Sequence, residues 1–313
     1  MPHVSPHSYR NHLQLTADAS RASSELSRIR KVLEDPKFLD ECSRRTSRSS
    51  SEIRARIETS LSEAAVAFEL LQDIDLNAKR VLEIGAGVGI VSLVLSRSGI
   101  EVVAIEPGLG GFDQNALIGR CLREWIGDAG HPYLSIGAAE LAPKPHGLFD
   151  VVFSINVLEH IPDLERAIGA MCSVLRPTGV MRHTCPNYLI PYEPHFGIPL
   201  VPLFPRLTAW LMPGIRKTEL WRSLNFVTLG GTRRAFERQN CSCRFARGTM
   251  RTAFERLDHD EEFRKRQGGR GTVAAARKIL DRFGLLELVG YLPPILSTPM
   301  TFEVVPKSRN RHQ

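Results

Sequence analysis

Glu83, Gly85, Gly87 and Gly89 stand at two-residue intervals in VLEIGAGVGIVSLV, residues 81–94. Val81 and Leu82 before them, and Ile90, Leu93 and Val94 after them, read as a buried strand, a glycine turn and a helix. Glycine suits such a turn because it accepts positive φ and lets a ligand lie against bare backbone. A dinucleotide turn, G-x-G-x-x-G, needs a glycine at position 90, which is Ile90. Glu83 argues the same way, since it repels a pyrophosphate and favours a cation. The ligand expected here carries positive charge.

Other residues with chemical potential follow in order. Glu106 comes 21 residues after Gly85 and ends an apolar strand, where an acid can accept both hydroxyls of a ribose. FDVVFSINVLEHI, residues 149–161, is a strand that runs out at Asn156, followed by Glu159 and His160. His160 is the first candidate for a general base near neutral pH. His183, Tyr192, Glu193 and His195 are alternatives. The last three lie in PYEPHFG, residues 191–197, a polar island in apolar sequence suited to substrate recognition.

Together these stretches resemble the class I S-adenosylmethionine (SAM) methyltransferases. Glu83-x-Gly85-x-Gly87-x-Gly89 is similar to their first motif, and Glu106 matches the second. F-D-V-V-x-x-x-x-V-L-E-H-I is similar to motif IV of the ubiquinone-biosynthesis-like group (methyltransferase type 11 or 23), and Leu175-Arg176-Pro177-Thr178-Gly179 is near its L-R-P-G-G. The resemblance covers residues 76–186 and implies an enzyme that moves a methyl group from SAM to an acceptor. It implies that Glu83, Gly85, Ala86, Gly87 and Gly89 hold the methionine part and that Glu106, with Pro107, holds the ribose. Because Ala138 replaces the aspartate of many relatives, the adenine contact is expected from backbone at Ala138–Ala139 or from Glu140. Asn156 borders the reacting centre, with His160 as catalytic residue and Tyr192, Glu193 and His195 on the substrate. Some relatives hold a divalent ion with E-x-x-E-H. Asn156 takes the first acid's place here, so no metal is expected. The expected acceptor is a small molecule, or one linked to lipid or sugar, methylated on oxygen.

Two other readings compete. A nucleic-acid methyltransferase is suggested by residues 214–275, which carry fourteen Lys/Arg against seven Asp/Glu in a chain of net charge +7. The chain lacks the N/D-P-P-F/Y tetrapeptide of amino-methylating enzymes of that kind. A non-catalytic protein of the same fold would carry an eroded glycine turn, and this turn is intact.

The elements that must position these groups alternate as a doubly wound α/β sheet does. Strands are expected at 81–84, 102–105, 133–136, 151–155 and 180–184, with helices between them and a turn at 176–179. The expected fold is Rossmann-like, with a seven-stranded, mostly parallel sheet, helices on both faces and a large insertion after strand five. Its core spans 52–186 and is completed by an antiparallel pair near 241–246 and 299–305. Residues 187–298 form a largely helical lid over the substrate side, and 306–313 a tail. Residues 1–51 are polar and partly disordered, with a short helix expected near Ser24–Leu33, and the Ser/Arg run 43–51 reads as a mobile linker. Six cysteines without zinc spacing and no apolar leader favour a reducing, cytoplasmic setting. Prolines and Arg206 break the apolar stretch 188–213, which excludes a spanning helix and leaves shallow membrane contact open. Oligomeric state is not legible.

Overall fold

The structure, a computed structural model, describes residues 19–109, 113–128, 130–260, 263–264 and 272–307. Residues 1–18, and 308–313 of the expected tail, lie outside them. The N-terminal segment departs from expectation. The helix expected near residues 24–33 is α1 (Ala19–Glu34), but residues 43–51 are not a linker: α2 (Pro36–Thr46) ends and α3 (Ser50–Leu71) begins within them. The Ser/Arg run is where one helix stops and the next starts. Ser47 takes left-handed φ at the C-cap of α2, while Ser49 and Glu52 form a reciprocal capping box for α3. Ile29, Leu33, Phe38, Leu39 and Cys42 are buried against the core, so this segment has the apolar stripe that its polar composition hid.

The sheet contains β1 (Arg80–Ile84), β2 (Glu101–Ile105), β3 (Tyr133–Leu134), β4 (Phe149–Ile155), β5 (Leu175–Cys185), β8 (Cys241–Phe245) and β9 (Met300–Pro306). Its order is β3-β2-β1-β4-β5-β9-β8, with β9 running antiparallel to both β5 and β8 and the other pairings parallel. The chain reverses its direction of winding between β1 and β4, the point where open α/β sheets bind ligands. β6 (Tyr192–Glu193) and β7 (Ile198–Pro199) make a small separate hairpin in the insertion. Residues 176–179, expected as a turn, belong to β5, whose pairing with β4 shifts register between Phe149 and Val151.

Side-chain alternation builds a core on each face of the sheet. Val81, Val151 and Phe153 face the side covered by α3 and α4 (Ile90–Arg97), with α5 (Asp113–Ile126) beside them. Leu82, Val152 and Met181 face the other side, covered by α6 (Leu164–Ser173) and α7 (Leu229–Arg238). The insertion also carries α8 (Thr249–His259) and α9 (Thr272–Arg282). Arg182 of β5 grips both carboxylate oxygens of Asp73, just past α3, at 2.9 and 3.1 Å, and reaches Glu303 of β9. That ties the helical cover to the sheet.

His183, a candidate base in the sequence, is not at the site. It is fully buried, hydrogen-bonded through Nδ1 to Ser154 Oγ at 2.7 Å and packed on Phe236 and Phe302. Burial pushes its pKa down to about 3. The unfolded chain therefore takes up a proton at His183 below about 6.5 while the folded chain does not, so stability is lost as pH falls from 6.5 toward 3. His183→Gln is expected to flatten the slope of stability against pH between 6.5 and 4 by about one proton. Urea unfolding across that range checks this; parallel slopes in the two proteins would refute it.

Candidate functional site

The turn after β1 is held by hydrogen bonds that leave its open side toward a cavity. Gly85 N–H and Ala86 N–H both donate to Ile105 O, at 2.9 and 3.1 Å, and Gly89 N–H to Ala86 O at 2.7 Å. Gly85, Gly87 and Gly89 all have positive φ, at 68°, 56° and 79°. A Cβ on Gly85 would meet Val157 Cγ2 at 2.3 Å, whereas one on Gly87 would approach only Asn115 Nδ2, at 3.8 Å. Gly89 packs on Tyr133 instead of the cavity.

The two acids divide their work differently from the sequence expectation. Glu83 does not line the cavity. Its Oε2 accepts Ser92 N–H at 2.9 Å, one of the unpaired donors of the first turn of α4, and burial raises its pKa to about 7. Glu106 does line it, accepting Gly87 N–H on Oε2 at 3.0 Å and Gly108 N–H on Oε1 at 2.9 Å. Burial raises its pKa too, against the pull of those two donors.

The cavity holds about 1230 Å³ at the carboxyl ends of β1, β2 and β4. Gly85, Gly87, Glu106, Pro107, Ala138, Ala139 and Asn156 line it, and so do His160, Tyr192 and His195. Of the sequence candidates, Glu83, Ala86, Gly89 and Glu193 stand behind its wall. Thr59, Glu63 and Val66 of α3 close one side, as the amphipathic pattern of residues 52–74 leads one to expect of a helix covering that end of the sheet. Glu63 Oε1 accepts Asn156 Nδ2 at 3.2 Å across a separation of 93 residues, and Asn156 holds left-handed φ of 54°.

Opposite the glycine turn, three basic groups converge. His160 Nε2 and His195 Nε2 are 3.4 Å apart, and Glu159 Oε1 is 4.0 Å from His160 Nε2. Each ring is oriented from behind. His195 Nδ1 meets Glu193 Oε1 at 2.6 Å, and Glu193, wholly buried, also accepts Tyr188 O–H and Phe196 N–H. His160 Nδ1 lies 2.9 Å from Ser223 Oγ. Glu159 is 0% exposed and neither carboxylate oxygen has a hydrogen-bond partner among the described residues. Burial drives the pKa of Glu159 up to about 8 and of His160 down to about 3. At His195 burial acts downward, but the bond to Glu193 and the charges of Glu193, Glu159 and Glu63 outweigh it, so its pKa is raised.

Comparisons with known proteins bear on the family. A family model described as a methyltransferase domain matches residues 41–257. An uncharacterized protein of Mycobacterium tuberculosis is 33% identical over 231 residues, covering 70% of this chain and 76% of the relative. The ubiquinone biosynthesis O-methyltransferase of Ralstonia nicotianae is 33% identical over 104 residues, 33% of this chain and 42% of that enzyme. Among solved structures, phosphoethanolamine N-methyltransferase 2 of Haemonchus contortus with SAM is similar at 16% identity and a TM-score of 0.44. That match covers 74% of this chain, which spans about half (49%) of that one.

The glycine turn yields a stability test. Alanine at Gly85 or Gly87 bears the strain of positive φ, roughly 1–2 kcal/mol. Only Gly85→Ala adds a collision with the β-branched Val157, worth about 1–3 kcal/mol more. Gly85→Ala is thus expected to lower the thermal midpoint further than Gly87→Ala, and equal midpoints would contradict the packing described.

Proposed function

The chain belongs to the class I SAM-dependent methyltransferases, and from that premise we propose that it methylates an oxygen of a small acceptor, one linked to lipid or sugar. SAM supplies the electrophilic methyl group at its sulfonium. The observation that carries the reading is one cavity lined both by the glycine turn with Glu106 and by the His160–His195 pair. Single-ligand pockets run to roughly 300–1,000 Å³, so about 1230 Å³ has room for donor and acceptor together.

The residues suit the donor. Gly87 offers backbone with nothing nearer than 3.8 Å to a would-be Cβ, which leaves space for the methionine part beside Gly85 and Gly87. Glu106, fixed by two backbone N–H groups, suits the ribose. Ala138 and Ala139, in a 3₁₀ turn, offer backbone to the adenine. Asn156, held by Glu63, stands beside the reacting end. Glu83 serves this arrangement indirectly, by fixing the start of α4. The acceptor oxygen belongs at the Glu159–His160–His195 end, where electron-pair donors converge and can draw on its proton. Methyl transfer is helped chiefly by holding the two reactants in line, which a closed, two-ended cavity does.

A lipid-linked acceptor is favoured by the insertion's surface. Leu203, Phe204, Trp210 and Leu211 are 62–83% exposed. Beside them Arg206, Arg216, Lys217 and Arg222 line a second cavity of about 530 Å³. Arg222 also lines the main cavity. Exposed aromatic and aliphatic groups among cations suit the interface of an anionic bilayer. No helix among the described residues is long and apolar enough to cross a membrane. A nucleic-acid acceptor draws less support, because Arg238, Arg251 and Arg256 of the basic stretch are paired with Glu165, Glu255 and Asp260.

The test is incubation of the protein with methyl-labelled SAM and cell extract, followed by separation into organic, aqueous and RNA fractions. Label is expected in the organic fraction. Label confined to RNA would overturn the acceptor class, and no transfer with no SAM binding would overturn the whole reading. Gly87→Arg is expected to abolish SAM binding in calorimetry while keeping the native circular dichroism spectrum. Undiminished binding by that variant would move the donor elsewhere.

A further inference from the structure

SAM brings positive charge into the cavity at its sulfonium and its ammonium, and the acid expected to meet it, Glu83, stands behind the wall. Five acids do line the cavity: Glu63, Glu106, Glu140, Asp163 and Glu219. Four belong to local structure. Glu106 accepts the N–H groups of Gly87 and Gly108, and Glu140 that of Gly137 at 2.7 Å. Asp163 caps α6 by accepting Arg166 N–H at 3.1 Å. Glu219 sits in the first turn of the short helix Glu219–Ser223, whose Arg222 brings a cation to the same cavity. Glu63 differs. It comes from α3, is half-buried, and its Oε1 accepts the side-chain amide of Asn156 at 3.2 Å. At Glu159 and His195, after burial and the nearer charges, the charge of Glu63 is felt too. One carboxylate thus bonds to Asn156, assigned to the donor's reacting end, and acts on groups assigned to the acceptor.

We infer that Glu63 is the carboxylate that meets the sulfonium of the bound donor and lets the protein tell SAM from its demethylated product, S-adenosylhomocysteine. The inference rests on the donor placement proposed above and deepens it. In the transfer an acceptor oxygen bonds the methyl carbon, the S–C pair stays on sulfur, and the acceptor's proton leaves to solvent. The sulfur goes from positive to neutral, while the ammonium and carboxylate of the methionine part keep their charges. A carboxylate beside the sulfur therefore attracts the donor and not the product, whereas one beside the ammonium attracts both alike. The first arrangement eases replacement of spent product by fresh donor, a step that limits turnover in many enzymes. It does not speed the chemistry, since an interaction that steadies the sulfonium weakens on the way to the transition state. Asn156, at left-handed φ of 54°, holds the carboxylate in place through its amide. No local motif marks Glu63, whose partner lies 93 residues on.

The full chain is titrated by calorimetry with SAM, with S-adenosylhomocysteine and with sinefungin, which carries a protonated amine on carbon in place of the sulfonium. Glu63→Gln keeps the size of the side chain and an acceptor for Asn156 but removes the charge. It is expected to weaken SAM and sinefungin about tenfold or more, and S-adenosylhomocysteine by less than about threefold. Glu63→Ala, well tolerated in a helix, should shift the same ratio and carries the test if the glutamine variant misfolds. Glu63→Asp, which keeps the charge, should retain most of the preference. Glu58→Gln, at an exposed position of α3, removes the same charge away from the cavity and should leave all three affinities as in the parent. Circular dichroism checks the fold of each variant. Equal losses for the three ligands, or none, overturn the role given to Glu63 and leave the donor site standing. A parent chain that binds none of the three overturns the donor site and this inference together.

Discussion

Two buried carboxylates, Glu83 and Glu106, hold the turn on which the rest of the site is built. Glu83 accepts Ser92 N–H at the start of α4, and Glu106 accepts Gly87 N–H in the middle of the turn. Each takes up a backbone donor that has no partner within its own element, so desolvating the acid also satisfies the backbone. The glycines make that geometry possible, since three positive φ values in five residues are tolerable only without side chains. Parallel pairing of β1 with β2 then brings the end of one strand against the end of the next, at Ile84 and Ile105. Everything that faces the cavity is placed relative to those strand ends.

The same physics read at the opposite end of the cavity gives a contrasting result. Glu159 is 0% exposed, yet among the described residues neither of its carboxylate oxygens has a hydrogen-bond partner. Its neighbours are two rings held from behind by Ser223 and Glu193. Satisfied acids hold structure in place. Glu159 lies where the insertion closes over the parallel sheet.

The insertion has two tasks that its composition blends. Inside, it supplies Tyr192, His195 and Ser223, held by the short hairpin of β6 and β7 and by Asn225, which donates to Leu158 O and Ile161 O next to Glu159. Outside, it shows Phe204, Trp210 and Leu211 beside cations. Asn225 is therefore the splint that couples the lid to the segment after β4. No regular periodicity marks it.

The strands, the glycine turn and Glu106 were legible in the sequence because their signals are local: an apolar run, an acid at its end, glycines at fixed spacing. The antiparallel pair that closes the sheet was legible for the same reason, by alternation at Cys241–Phe245 and Met300–Pro306. Local pattern misled at residues 36–51, where a polar composition hid a thin buried stripe, and at Glu83, whose spacing told its position but not which way its carboxylate turns. What only the tertiary structure decided are meetings across long separations: Asn156 with Glu63, and His160 with His195 and Ser223. Side-chain direction and the commitment of each hydrogen depend on what folds against a residue, and that is fixed by packing between elements, not by the residues beside it in the chain.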